Sequence, residues 1–117
     1  MLPKQYRLPL KTEAKILYQK GKVFTTPFFI VFAMEDRNKK RTPRFGYIVN
    51  NKIDQRATKR NQLKRRLRAS TWMYLQKNQI LGDFLIIAKK ACLNATTTQI
   101  SQILKNLLRI FSKEKKK

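Results

Sequence analysis

The stretch QRATKRNQLKRRLRAS, Gln55–Ser70, carries seven Lys or Arg residues in its first fourteen positions, no acid, and leucines at Leu63 and Leu67. Advancing about 100° per residue from Ala57 gathers Leu63, Leu67, Ser70 and Tyr74 on one stripe and Asn61, Lys64, Arg65 and Arg68 on the opposite side. The spacing predicts an amphipathic helix, one side packed and the other charged, running to about Lys77, where KNQILGD breaks the pattern. Like charges three or four residues apart destabilise a helix by a few tenths of a kcal/mol per pair. Helices with a merely solvated charged side interleave Glu with Lys. No acid interrupts residues 55–68, so an external polyanion is expected to supply the missing negative charge.

The elements around this helix set the fold. Upstream, Leu10, Ala14, Leu17 and Tyr18 recur at helical spacing and Gly21 supplies a stop, predicting a helix over 11–20. PFFIVFAM, Pro27–Met34, is a dense β-branched and aromatic run that reads as a central strand, with Phe28, Ile30 and Phe32 on one face and Phe29 and Val31 on the other. The charged turn EDRNKKRTP leads to RFGYIVNN, Arg44–Asn51, a second strand near enough in sequence to pair antiparallel as a hairpin. Downstream, DFLIIAKK, Asp83–Lys90, is a third strand. The threonines of ACLNATTT can cap the helix that follows, whose Ile100, Ile103, Leu104, Leu107, Leu108 and Phe111 repeat as a core-facing stripe. The expected architecture is α+β: an α/β sandwich of order α-β-β-α-β-α, with helices against a small sheet. A single domain spans residues 1–111, and SKEKKK, residues 112–117, is a basic C-terminal tail expected to fray.

Composition narrows the function. With 117 residues the chain makes one modest core, and 42% hydrophobic content is ordinary for a folded domain. Lys and Arg number 28 against six acids, a net charge of +22, which repels itself in a compact state unless a polyanion screens it. Nucleic acid is the leading partner class. No run of eighteen apolar residues occurs, and MLPKQYRLPLK lacks an apolar core of signal-peptide length, so the expected location is the cytoplasm and no membrane partner is expected. With no histidine and Cys92 as the sole cysteine, intrachain disulfides and His/Cys metal sites are excluded, and Cys92 reads as a small buried hydrophobe. Asp54 is expected to cap the basic helix and Asp83 to open a strand. No Gly-rich phosphate loop, His-based pair or triad, or sequence-local cluster of acids appears, so the chain is not expected to be a self-sufficient enzyme. Asn61 offers a planar donor and acceptor to a base edge or sugar hydroxyl. Trp72 falls on the same side of the helix, where stacking on a base and packing on a neighbour are both open. The strand aromatics are likewise open to two uses, core or a stacking platform for single-stranded nucleic acid.

RFGYIVNNKIDQRATKRNQLKRRLR, Arg44–Arg68, resembles the signature region of the bacterial ribonuclease P protein family: a strand, a basic loop, then a helix bearing Arg-Asn-Arg and Lys-Arg-x-x-Arg. The similarity extends to YRLPLKTEAKILYQKG, to GDFLIIAKK and to the closing leucine-rich helix. It implies a small mixed sheet in which the strands at 44–51 and 83–90 are parallel neighbours joined by a left-handed βαβ crossover, against the usual right-handed rule, as in the second domain of ribosomal protein S5. It also implies a subunit of an endoribonuclease, a hydrolase that removes the 5′ leader from precursor tRNA. In that family the chemistry is carried by a catalytic RNA subunit and its Mg2+; the protein alone holds no cofactor and supplies no catalytic residue. The expected partners are therefore that RNA and precursor tRNA, not DNA.

Carried over by position, Arg60 and Asn61 match the first two residues of Arg-Asn-Arg, and Lys64, Arg65 and Arg68 match the basic residues after it. With Arg56 and Lys59 they form the set expected to bind RNA. Tyr18, Ile30, Phe32 and Lys52 match positions lining the cleft between the first helix and the sheet that receives the single-stranded leader. Three departures stand out: Gln62 replaces the second Arg of the motif, Ala14 stands where a Phe is common, and NNKIDQRA is one residue longer and lacks a Gly. A non-catalytic basic RNA-binding module, such as a small ribosomal protein, is the alternative.

Overall fold

The structure is a computed structural model and describes residues 2–35 and 42–115. Most of the predicted turn EDRNKKRTP, residues 36–41, lies outside the described residues, as do 116–117 of the basic tail. Among the described residues three helices, α1 (Leu10–Lys20), α2 (Ala57–Lys77) and α3 (Thr97–Lys115), join four strands, β1 (Lys22–Thr25), β2 (Phe29–Met34), β3 (Arg44–Ile48) and β4 (Asp83–Ala88). Single 3₁₀ turns occupy Lys4–Tyr6 and Lys90–Asn94. The residues assigned to the tail are helical as far as Lys115.

The order of strands is β1-β2-β4-β3, antiparallel at the first two contacts and parallel between β4 and β3. The expected hairpin between the strands at 27–34 and 44–51 is therefore wrong: β4 lies between them. DFLIIA is the most uniformly apolar strand and is buried at five of its six positions, so it takes a centre where both of its edges are paired and both of its faces are covered. The parallel β3–β4 pair with α2 as its crossover agrees instead with what the family resemblance implies. Phe45 and Phe84, in register, stack at 4.9 Å and 18°. The free edge of β3 is partly covered from the N-terminal side, where Leu8 N donates to Phe45 O at 2.9 Å. Gly82, at φ +139°, turns the chain into β4, a conformation that only glycine adopts without strain.

The hairpin that does form joins β1 to β2, an additional strand that makes the order αβββαβα. Its turn is tied by Thr26, whose hydroxyl accepts from the N–H of Phe29 (2.9 Å) and Phe28 (3.3 Å) and donates to Phe29 O (2.7 Å). This turn keeps Phe28 out of the strand. Phe28 packs with the large core and not beside Ile30 and Phe32, which corrects the simple alternation.

Helices cover both faces. On one, α2 and α3 bury Leu63, Leu67, Ile100, Leu104 and Leu108 against Phe29, Val31, Phe45, Phe84 and Ile86. On the other, the shorter α1 buries Leu17 against Leu85 and Leu8, with Phe32, Met34, Ile48 and Ile87 half-buried beside them. Thr96 and Gln99 form a reciprocal capping box at the start of α3, as the threonine run suggested: Gln99 N donates to Thr96 Oγ1 at 3.1 Å and Thr96 N to Gln99 Oε1 at 2.9 Å.

Candidate nucleic-acid interface

The predicted stripe of α2 is buried at Leu63, Leu67, Ser70 and Tyr74, and Thr71 joins it. Two of these are polar and satisfied internally. Thr71 Oγ1 donates to Leu67 O (3.0 Å) and accepts from the Tyr47 hydroxyl (2.7 Å), while Ser70 Oγ donates to Arg66 O at 2.8 Å. Arg66 sits at the boundary, its guanidinium donating to Ala95 O at 2.6 Å and Leu93 O at 3.1 Å, so it fastens α2 to the turn before α3. Asn61 and Arg65 are exposed, and Lys64 and Arg68 half-buried. Among the described residues none of these four makes an ion pair or side-chain hydrogen bond, and uncompensated cations on one helix side are what a polyanion binds.

The start of α2 is organised differently from expectation. Asp54 does not cap the helix; the capping position is Arg56, with no side-chain cap. Asp54 instead accepts from the Arg56 backbone N–H (2.9 Å) and guanidinium (2.9 and 3.1 Å), closing the turn ahead of the helix. These hydrogen bonds from Arg56 hold the half-buried Asp54 carboxyl down at about 2. Arg60 Nη1 donates to the carbonyls of Asp54 (2.9 Å) and Gln55 (2.8 Å). Arg56 and Arg60 thus shape the loop as well as charging it, whereas Lys59 is exposed. Trp72 packs on Tyr6 with ring centroids 5.9 Å apart, so packing is its use here.

The second surface lies beside α1. Tyr18, 47% exposed on the last turns of α1, meets Phe32 edge to face at 5.1 Å and 75°. Gly21 permits that approach, since a Cβ there would stand 2.4 Å from Leu17 O and 3.4 Å from Phe32 Cβ. Strand register carries the surface sideways: Ile30 faces Ile87 on β4, and Ile87 faces Ile48 on β3. All three are half-buried, forming an apolar row. Tyr18, Ile30 and Phe32 are therefore brought together; Lys52 stands exposed on the turn after β3, its N–H held by Asn50 Oδ1 at 2.9 Å. Ile48 and Ile87 were missed, although the alternation of Asp83, Leu85, Ile87 and Lys89 along β4 marks this face. Among the described residues no group of three or more Cys, Asp or Glu side chains gathers that could hold a metal ion.

A family model described as Ribonuclease P matches residues 2–112. The chain belongs to the ribonuclease P protein family. The ribonuclease P protein component of Bacillus cereus (strain Q1) is 30% identical over 112 residues, covering 96% of this chain and 93% of that protein. That of a Nitratiruptor species is 29% identical over 108 residues, covering 92% and 94%. The solved structure of a Staphylococcus aureus RNase P protein mutant with defective mRNA degradation activity superposes with a TM-score of 0.79 at 27% identity, covering 92% of this chain and 88% of that one. As a member of the family, the chain is a protein subunit of ribonuclease P, an endoribonuclease holoenzyme of tRNA processing with an RNA partner. Matches over nearly the whole length do not favour a small ribosomal protein.

Proposed function

We propose that the exposed side of α2, with Lys59, Asn61, Lys64, Arg65 and Arg68 and with Arg56 and Arg60 at its start, binds the catalytic RNA subunit of ribonuclease P, and that the surface beside α1 receives the single-stranded 5′ leader of precursor tRNA. The observation that carries the reading is the division of labour between two surfaces. Uncompensated cations on α2 suit phosphates, which position an RNA without reading it. The Tyr18–Phe32 edge contact and the half-buried row Ile30, Ile87 and Ile48 suit unstacked bases, which single-strand readers hold on aromatic and apolar surface. Lys52, on the turn after β3, and Lys89, two residues beyond Ile87 just past the end of β4, add charge beyond the β3 and β4 members of that row. The protein's own part is binding and orientation; hydrolysis and its metal ions are assigned to the RNA. A cytoplasmic location belongs to the same proposal, and among the described residues no helix is long and apolar enough to cross a membrane.

Reconstitution with the cognate RNA subunit and precursor tRNA tests the reading. Adding the protein should stimulate leader removal at low magnesium, where RNA repulsion is least screened. A protein that binds RNA without raising the cleavage rate would be an RNA-binding module and not this subunit.

A further inference from the structure

Where the last turns of α2 face α3, the surface opens into a cavity of about 370 Å³, within the range of small-ligand clefts, roughly 300–1,000 Å³. Met73, Gln76 and Lys77 line it from α2, Asn78 from the residue that ends that helix, and Ser101 and Lys105 from α3. Met73 is 50% exposed, a large apolar side chain that the core does not use. Ser101 Oγ lies 3.7 Å from its sulfur. No carboxylate lines the cavity, and among the described residues neither lysine forms an ion pair. Lysine in a last helical turn often serves to satisfy the terminal carbonyls. Here Asn78 takes that role at Tyr74 O, through its N–H and its side-chain amide, both at 3.0 Å. Lys77 is left available to a ligand.

A polarizable thioether, neutral amides and a hydroxyl, and two cations with no acid among them match a base with its flanking phosphates. The cavity lies further along α2, where its lining turns from the charged side toward α3. Gln76 follows Arg65 by eleven residues, about three turns, and so lies on the side of Arg65, whereas Met73 and Lys77 turn toward Ser101 and Lys105 of α3, with Lys77 half a turn round the helix from Arg68 and roughly 14 Å along the axis. We propose that this cavity holds one unstacked nucleotide of the RNA that binds along α2. The inference rests on the reading of α2 as the RNA-subunit surface and extends it to a separate pocket formed with α3, away from the leader surface beside α1.

Two measurements on the full chain with the cognate RNA subunit decide it. The first is affinity against salt concentration. Lys77→Ala/Lys105→Ala should lower the slope of log affinity on log salt by about two, one per phosphate contact, and Met73→Ala should weaken binding by up to about tenfold at fixed salt. The second uses Lys105→Cys carrying a photo-crosslinker, selective because the native Cys92 is fully buried. It should join to a nucleotide of the RNA subunit. Parent-like affinity and slope in the cavity variants, with no crosslink to RNA, would overturn the proposal, and if Arg65→Ala still weakened binding the α2 reading would stand without it. Parent-like behaviour of Arg65→Ala as well would remove both. A crosslink joining two protein chains would assign the cavity to self-association and equally reject the nucleotide.

Discussion

Arg44 grips Asp83 with two hydrogen bonds of 2.9 Å, Nε to Oδ1 and Nη2 to Oδ2, where the parallel strands β3 and β4 begin in register. The same Nη2 reaches Glu13 in the first turn of α1, also at 2.9 Å. Hydrogen bonding to Asp83, outweighing burial, raises the Arg44 pKa further above its already high value. The cluster pins β3 to β4 and draws the start of α1 to one end of the sheet face. The other end, with Ile30, Ile48 and Ile87, is left open beside Tyr18 and Phe32.

Arg44→Met should therefore cost about 3–5 kcal/mol, because it takes the bidentate partner from a carboxylate that is fully buried. Glu13→Gln keeps a hydrogen-bond acceptor and should cost about 1 kcal/mol. Urea unfolding of both variants measures this. Equal, small losses would mean that the cluster does not hold the register.

Arg65 and Arg66 are neighbours with opposite expected effects. Arg66→Ala removes the donors to Leu93 O and Ala95 O and should destabilise the fold by about 1–3 kcal/mol. Arg65→Ala should leave the thermal midpoint unchanged while weakening RNA-subunit binding and lowering its salt slope by about one. The reverse pattern would exchange their roles and turn the wrong side of α2 to the RNA.

Alkaline pH should expose the buried thiol. Burial pushes the Cys92 pKa up to about 11, from a usual value near 9, and burial likewise raises the Tyr47 hydroxyl above its usual range. A group whose folded pKa is raised contributes stability that is intact below the unfolded pKa and lost as pH rises toward the folded one. The Cys92 contribution should thus be complete below about pH 9 and fade up to about pH 11. The difference in unfolding free energy between parent and Cys92→Ala isolates it, since losing lysine charge near pH 10 affects both alike. A difference constant from pH 8 to 11, on the scale set by these shifts, would rule it out.

The helices were legible because each carries its full 3.6-residue signal: Leu63 and Leu67 opposite Arg65 and Arg68, and Ile100 to Phe111 on one stripe. The strand order was not legible from local pattern, since proximity in sequence favoured pairing the runs at 27–34 and 44–51 and nothing local announces that β4 inserts between them. Only the resemblance carried the parallel pair. KVFT is too short to show alternation, and the Thr26 hydroxyl turn that makes a hairpin of it also removes Phe28 from the strand. Asp83 was recognisable as the residue that opens a strand, but its partner Arg44 lies 39 residues away. Of the leader surface, Tyr18, Ile30 and Phe32 came from matched positions, while Ile48 and Ile87 needed the strand register.

Phe32 provides the sharpest test of the leader surface, because it separates holding the substrate from holding the RNA subunit. Stacking on an aromatic side chain is worth about 1–3 kcal/mol per base, and about 1.4 kcal/mol is a factor of ten in affinity. Phe32→Ala should weaken binding of precursor tRNA to the reconstituted enzyme by roughly tenfold or more. Mature tRNA, which has no leader, should bind as before, and assembly with the RNA subunit should be unchanged because α2 is untouched. Phe32 also packs on Leu17 and Leu85, so Tyr18→Ala serves as the companion variant: Tyr18 is 47% exposed, and its loss should spare the fold while reproducing the selective defect. If both variants lost affinity equally for precursor and mature tRNA, Tyr18 and Phe32 would serve only to pack α1 on the sheet, and the leader would have to lie elsewhere.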